Sequence, residues 1–280
     1  MKEGTMNAPV AGHYQAELNL DGVVARVRRH YPAGATAPEL APLDQLHIGG
    51  LGASRRLLER VSDQGARRVL DIGSGVGGLM RLGAVHGLEM IGVDITHGLN
   101  RLNRALSGLC ESVPDSWPVT GDAARLPLCD DSVDAVIFQH ILMNVMDDRI
   151  ALDEAHRVLK PAGLLVMHEV ISGPHVEKMR YPVPWSGDGR HSCLMTAQTL
   201  RARLEAAGFK VTRMQDQTEA ARAWRARQTS KERTGHSAAA ALSPALVFGE
   251  TFPVMGRNLL HNLEAGAIGI IEVEADASPD

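Results

Sequence analysis

Aromatic side chains are scarce in this chain: four Phe, three Trp and three Tyr make up 4% of 280 residues. A large stacked aromatic pocket is therefore disfavoured. No run approaches the ~20 apolar residues that span a bilayer, and the N-terminal stretch has no apolar signal core. A cytoplasmic protein with no membrane partner is expected. The three cysteines, Cys110, Cys129 and Cys193, are odd in number and lack metal-ligand spacing, so they read as reduced thiols with no metal expected. The net charge of −4 supplies no basic field, which argues against nucleic acid as a partner. The local basic group of Arg26, Arg28 and Arg29 reads as a solvated helix face.

Against these absences stands a glycine-rich segment. Residues 69–78 read VLDIGSGVGG, an apolar strand end that meets an acid and then a turn opening a helical stretch. Gly73, Gly75 and Gly77 allow the backbone to turn sharply and approach a ligand, because they carry no Cβ. Gly73, Gly75 and Gly78 with Asp94 also satisfy the dinucleotide pattern, in which a pyrophosphate sits over the glycines and the helix N-terminus. Asp71, two residues before the first glycine, would meet that pyrophosphate as like charge. It suits a ligand with an ammonium and a sulfonium and no phosphate, which describes S-adenosylmethionine.

The chain is long enough for one α/β core with decorations. Residues 1–16, polar and short of aliphatics, are expected to be disordered. Residues 17–66 are expected to form a helical cap, with helical stripes at 17–29 and 51–61 around a Pro/Ala-rich linker from Gly34 to Pro42. Strands are expected near 67–72, 89–94, 117–120, 133–138, 163–170, 209–214 and 267–275. Helices are expected near 77–87, 97–112, 147–159 and 196–207. Apolar strands alternating with helices predict a parallel sheet covered on both faces. Two insertions, 172–195 and 218–263, interrupt the 67–280 domain, the second with an Ala/Ser-rich break at Ser237 to Pro244.

The segments recur in a recognisable order. After VLDIGSGVGG come MIGVDI at 90–95, GDAARLPL at 121–128, SVDAVIFQH at 132–140 and HRVLKPAG at 156–163. In order and spacing this resembles the class I S-adenosylmethionine-dependent methyltransferases. DQLHIGG at 44–50, YPVPW at 181–185 and the tail from Gly249 to Val273 look like the methyltransferase type 11, sarcosine/dimethylglycine N-methyltransferase branch. The resemblance implies a Rossmann-like seven-stranded sheet of order 3-2-1-4-5-7-6 with helices on both faces.

Ligands of open α/β sheets bind at the carboxyl ends of the strands, which selects the candidate cofactor residues. Asp71, Gly73, Ser74, Gly75 and Gly77 are expected to hold the methionine portion, Asp94 the ribose hydroxyls and Ile95 the adenine face. The resemblance places Asp122 and Ala123 on the adenine edge. Gln139 and His140 follow the fourth strand, beside the transferred methyl, and His140 is a candidate general base. His168 and Glu169 end the fifth strand, Glu169 as a candidate partner for an ammonium. His47, Asn144, Tyr181, Trp185 and His191 are candidates for binding the acceptor. The activity implied is methyl transfer to a small amine or amino-acid-like nitrogen. O- or C-methylation of a natural product or quinone precursor is the alternative, and a non-catalytic S-adenosylmethionine-binding protein is a third reading. A monomer or homodimer is expected.

Overall fold

The computed structural model describes residues 12, 14, 18–110, 116–233 and 242–278. The expected disorder of 1–16, apart from residues 12 and 14, and most of the Ala/Ser-rich break lie outside the described residues. Seven strands form one sheet: β1 (Arg68–Ile72), β2 (Glu89–Asp94), β3 (Ser116–Thr120), β4 (Val133–Gln139), β5 (Leu159–Ser172), β6 (Phe209–Asp216) and β7 (Ile268–Ala277). Their order is 3-2-1-4-5-7-6, as the resemblance implied. β1 to β5 pair in parallel, and β7 runs antiparallel between β5 and β6.

The helices are α1 (Leu20–His30), α2 (Ala37–Asp44), α3 (Gly50–Asp63), α4 (Gly78–Val85), α5 (His97–Ser107), α6 (Asp148–Val158), α7 (Ala197–Ala206), α8 (Thr218–Arg233), α9 (Ala245–Phe248) and α10 (Phe252–Glu264). In α3, Ala53, Leu57, Leu58 and Val61 recur at helical spacing and bury one stripe. Of these, Leu57, Leu58 and Val61 join Leu79, Met80 and Leu82 of α4 and the sheet residues Val69, Met90, Ala135, Ile137 and Val166 in the core on one face. The other face buries Leu70, Ile72, Val136, Phe138 and Leu165 beneath Leu152 and Ala155 of α6 and Leu200 and Leu204 of α7. β1 and β4 are central strands buried on both faces, which is why they read as nearly unbroken apolar runs.

The stretch expected as a linker, Gly34 to Pro42, instead contains most of α2. Thr36 and Glu39 form a capping box, with Glu39 Oε2 accepting from the Thr36 backbone N–H at 2.8 Å, and Pro38 occupies the first turn, where no helical bond is lost. α1 and α2 pack with α5 through Val23, Val27, Leu40, Leu43, Leu102 and Leu106. The insertion after β5 is fastened to α10: Asn262 is fully buried, accepts from the Arg180 backbone N–H at 2.8 Å and donates to the Arg180 carbonyl at 2.9 Å. No helix among the described residues is long and apolar enough to cross a membrane.

Candidate active site

The carboxyl ends of β1, β2 and β4, with the α2–α3 connection and residues from both insertions, enclose one cavity. Its floor is the glycine turn. Gly73, Gly75 and Gly77 all have positive φ, at 77°, 50° and 81°. Gly73 and Gly75 line the cavity with Asp71 and Ser74, but Gly77 does not. A Cβ on Gly77 would lie 1.9 Å from Asn103 Oδ1. Gly77 therefore lets α5 pack against the start of α4 and is displaced from the ligand-facing role expected of it.

Two acids meet at this floor. Asp71 is buried, and burial followed by repulsion from Asp94 pushes its pKa up to about 8. Asp94 accepts from the Gly75 backbone N–H through Oδ2 at 2.8 Å and from the Thr96 backbone N–H through Oδ1 at 2.7 Å. Burial raises the Asp94 pKa, and those backbone bonds work against the rise. Each of its oxygens keeps a lone pair for a further donor. Ile95, Asp122, Ala123 and Gln139 also line the cavity. Asp122 Oδ1 fixes the turn after β3 by accepting from the Ala124 backbone N–H at 3.0 Å. Ser74 Oγ and Gln139 Nε2 are buried without a hydrogen-bond partner.

At the far end stand three imidazoles. His140 and His168 stack with centroids 5.0 Å apart, and His47 lies 5.7 Å from His140 and 6.1 Å from His168. His140 sits at φ 57°, a left-handed conformation that costs a non-glycine residue of order 1 kcal/mol, and its Nε2 is buried without a partner. Burial, then the neighbouring His168 and His47, hold its pKa well below the ordinary histidine value. Burial likewise lowers His168, and it brings His47 down to about 4. All three are neutral at pH 7. His47 is held by Gln45 Oε1 at 3.0 Å, Ser54 Oγ at 3.1 Å and the Ile48 carbonyl at 3.1 Å. No cluster of His, Cys, Asp and Glu among the described residues has the geometry to hold a metal ion.

Of the other candidates, His47, His140, Asn144 and Trp185 line the cavity, whereas His168, Glu169, Tyr181 and His191 do not. Glu169, expected to face an ammonium, turns its carboxylate to the backbone N–H groups of Ile141 at 3.0 Å and Leu142 at 3.3 Å. Burial raises its pKa to about 8 against those bonds. It fixes the loop that carries His140. Tyr181 packs against the apolar cluster that holds Trp185, and the His191 carbonyl accepts from Asn144 Nδ2 at 3.4 Å.

Three wall residues had no sequence signal of their own. Tyr14, inside the stretch expected to be disordered, donates to Asn144 Oδ1 at 2.9 Å and lies with its ring 6.3 Å from Phe248. Asp44 stands in a segment singled out by resemblance but given no role, and Phe248 comes from the second insertion.

Residues 70–167 match the family described as Methyltransferase domain. A demethylmenaquinone methyltransferase of Renibacterium salmoninarum is 35% identical over 127 residues, 45% of this chain and 51% of the relative. The chain thus spans about half the length of that curated relative. Among solved structures, a Galdieria sulphuraria protein provisionally described as a sarcosine dimethylglycine methyltransferase superposes with a TM-score of 0.70 at 16% identity, covering 91% of this chain and 98% of that one. A Haemonchus contortus phosphoethanolamine N-methyltransferase 2, in complex with phosphomonomethylethanolamine and S-adenosylhomocysteine, also gives 0.70 at 16% identity, covering 98% and 61%. At such identities the superpositions speak for the fold. Residues 70–167 match the methyltransferase domain family, and the chain that carries them has the Rossmann-like seven-stranded fold of these methyltransferase structures.

Proposed function

We propose that the chain transfers a methyl group from S-adenosylmethionine to a small, uncharged acceptor bearing a hydroxyl or an acidic carbon. The observation that carries the cofactor reading is the buried Asp71 carboxyl beside Asp94 at the floor of the cavity. A phosphate at this floor would add repulsion, while an ammonium would relieve it. The unpartnered Ser74 Oγ and Gln139 Nε2 fit a polar ligand that completes their bonding. When bound, the cofactor supplies an electrophilic methyl on sulfur.

The chain's own residues then position and exclude. Asp71 holds the ammonium, Asp94 takes the ribose hydroxyls on its remaining lone pairs, and Ile95 and Ala123 flank the adenine with Asp122 at its edge. Methyl transfer to a good leaving group depends mainly on alignment of donor, carbon and nucleophile. His140, neutral with Nε2 open, accepts the acceptor's proton as the new bond forms. Tyr14, Trp185 and Phe248 close the wall against water.

The lining supports the uncharged class over the amine-first expectation. Among the described residues no Lys or Arg lines the cavity, so a phosphate or carboxylate on the acceptor finds no cationic partner. Glu169, the intended partner for an amine, is committed to backbone N–H groups. Methyl transfer from labelled S-adenosylmethionine, measured across phenols, hydroquinones, small amines, amino acids and phosphate esters, tests this. Turnover confined to phenols and hydroquinones is expected; turnover confined to amines or amino acids would overturn the acceptor class. No transfer to any acceptor, with intact cofactor binding, would favour the non-catalytic reading.

A further inference from the structure

β4 ends at Gln139, level with His168 in the parallel ladder, while β5 runs on to Ser172. The chain leaves the sheet at His140 in a left-handed conformation, so the backbone N–H groups that follow lose their place in the ladder. β5 nevertheless captures three of them in succession. The His168 carbonyl accepts from the His140 N–H at 2.9 Å. The buried Glu169 carboxyl then accepts from the Ile141 N–H at 3.0 Å and from the Leu142 N–H at 3.3 Å, Oε1 reaching both. These two groups stand at the start of the short 3-10 turn Leu142–Asn144, which has no side-chain cap of its own. A side chain of the neighbouring strand caps it instead.

The capped loop faces both the cofactor floor and the acceptor end of the cavity. Ile141 lies on the glycine turn, its Cδ1 2.5 Å from where a Cβ on Gly73 would stand, and Ile141, Met143 and Asn144 line the cavity with His140. Glu169 does not line it, so its influence on methyl transfer passes through the loop. A left-handed histidine is held only while the residues around it are fixed; released, it relaxes to an ordinary conformation and its imidazole swings away.

Resting on the reading of His140 as the group that takes the proton, we propose that Glu169 is a positioning residue for methyl transfer, capping the loop after β4 from β5 and so holding the His140 imidazole at the acceptor. This gives the buried acid a use that needs no contact with an ammonium. It also explains why the loop can keep a strained residue at its first position: the next two N–H groups are tied to a strand that continues past it.

A double-mutant cycle on kcat, with labelled S-adenosylmethionine and a hydroquinone as acceptor, separates this role from simple support of the fold. Glu169→Leu removes the accepting oxygens at similar volume and is expected to lower kcat at least about tenfold, the scale of a misplaced reacting group. The same change made in His140→Asn is expected to cost no more than about twofold, because no imidazole is left to place. Glu169→Gln, whose amide oxygen can take both N–H groups as Oε1 does, is expected to stay within about threefold of wild type. Should the leucine variant fold poorly, Glu169→Asp, too short to reach the loop, takes its place in the cycle. An equal fall in both backgrounds, no fall in either, or a glutamine variant as slow as the leucine one overturns the role of Glu169. Full turnover by His140→Asn alone overturns instead the reading of His140 on which the proposal rests.

Discussion

Cofactor binding should expel a proton, and Asp71 sets how much. With a pKa of about 8, roughly one Asp71 in eleven is ionised at pH 7 and one in a hundred at pH 6. An ammonium needs the ionised form, so binding at pH 7 should release about 0.9 proton, and affinity should rise about ninefold from pH 6 to pH 7. S-adenosylhomocysteine titrated calorimetrically in buffers of different ionisation enthalpy measures that release directly. In Asp71→Asn both the release and the pH slope should vanish, although Glu169, also raised to about 8, remains. Glu169 is off the cavity wall, and the variant separates the two acids. A proton release near zero in the wild-type protein, or an unchanged release in Asp71→Asn, would refute the reasoning.

Further outcomes follow from the same geometry. Without ligand, Asp71 and Glu169 bind protons more tightly folded than unfolded, so their stabilisation is full below about pH 4 and is lost as pH rises through about 8; Tm should fall across that window, and Asp71→Asn should flatten the fall. His140→Asn, which tolerates φ 57°, should keep or raise Tm while slowing turnover by about 100-fold or more if the imidazole takes the proton; unchanged kcat would remove His140 as base. Gly77→Ala, with its Cβ 1.9 Å from Asn103 Oδ1 and φ 81°, should cost more than about 2 kcal/mol in denaturant unfolding. Asn262→Ala, which strands both Arg180 backbone groups, should cost about 2–3 kcal/mol, read from the same unfolding curves.

The parts of the fold legible in the sequence were those governed by local pattern. Val133–Gln139 and Arg68–Ile72 are buried on both faces and read as apolar runs, and Thr196 caps α7 through the Thr199 backbone N–H at 3.1 Å, as its side chain permits. At 34–42 the prolines point to a linker, yet Thr36 and Glu39 form a capping box and Pro38 is at a position that helices accept. The acids and glycines of the floor were legible because each ends a strand or makes a turn. What strand-end position cannot reveal is where each side chain is committed. His168 and Glu169 lie within β5, His168 level with the end of β4, yet one stacks on His140 and the other binds backbone N–H groups. Tyr14, Asp44 and Phe248 come to the wall through tertiary packing alone, and no periodicity announces that. Gly77 belongs to the motif by spacing but serves helix packing.

The central claim is that this floor takes an ammonium-bearing nucleoside in place of a dinucleotide. Calorimetric titration of the wild-type protein with S-adenosylhomocysteine and, separately, NAD tests it most directly, with Asp71→Ala as control. Micromolar binding of S-adenosylhomocysteine that is lost in Asp71→Ala, with no binding of NAD, is the predicted result. Binding of NAD, or S-adenosylhomocysteine binding indifferent to Asp71, would contradict it.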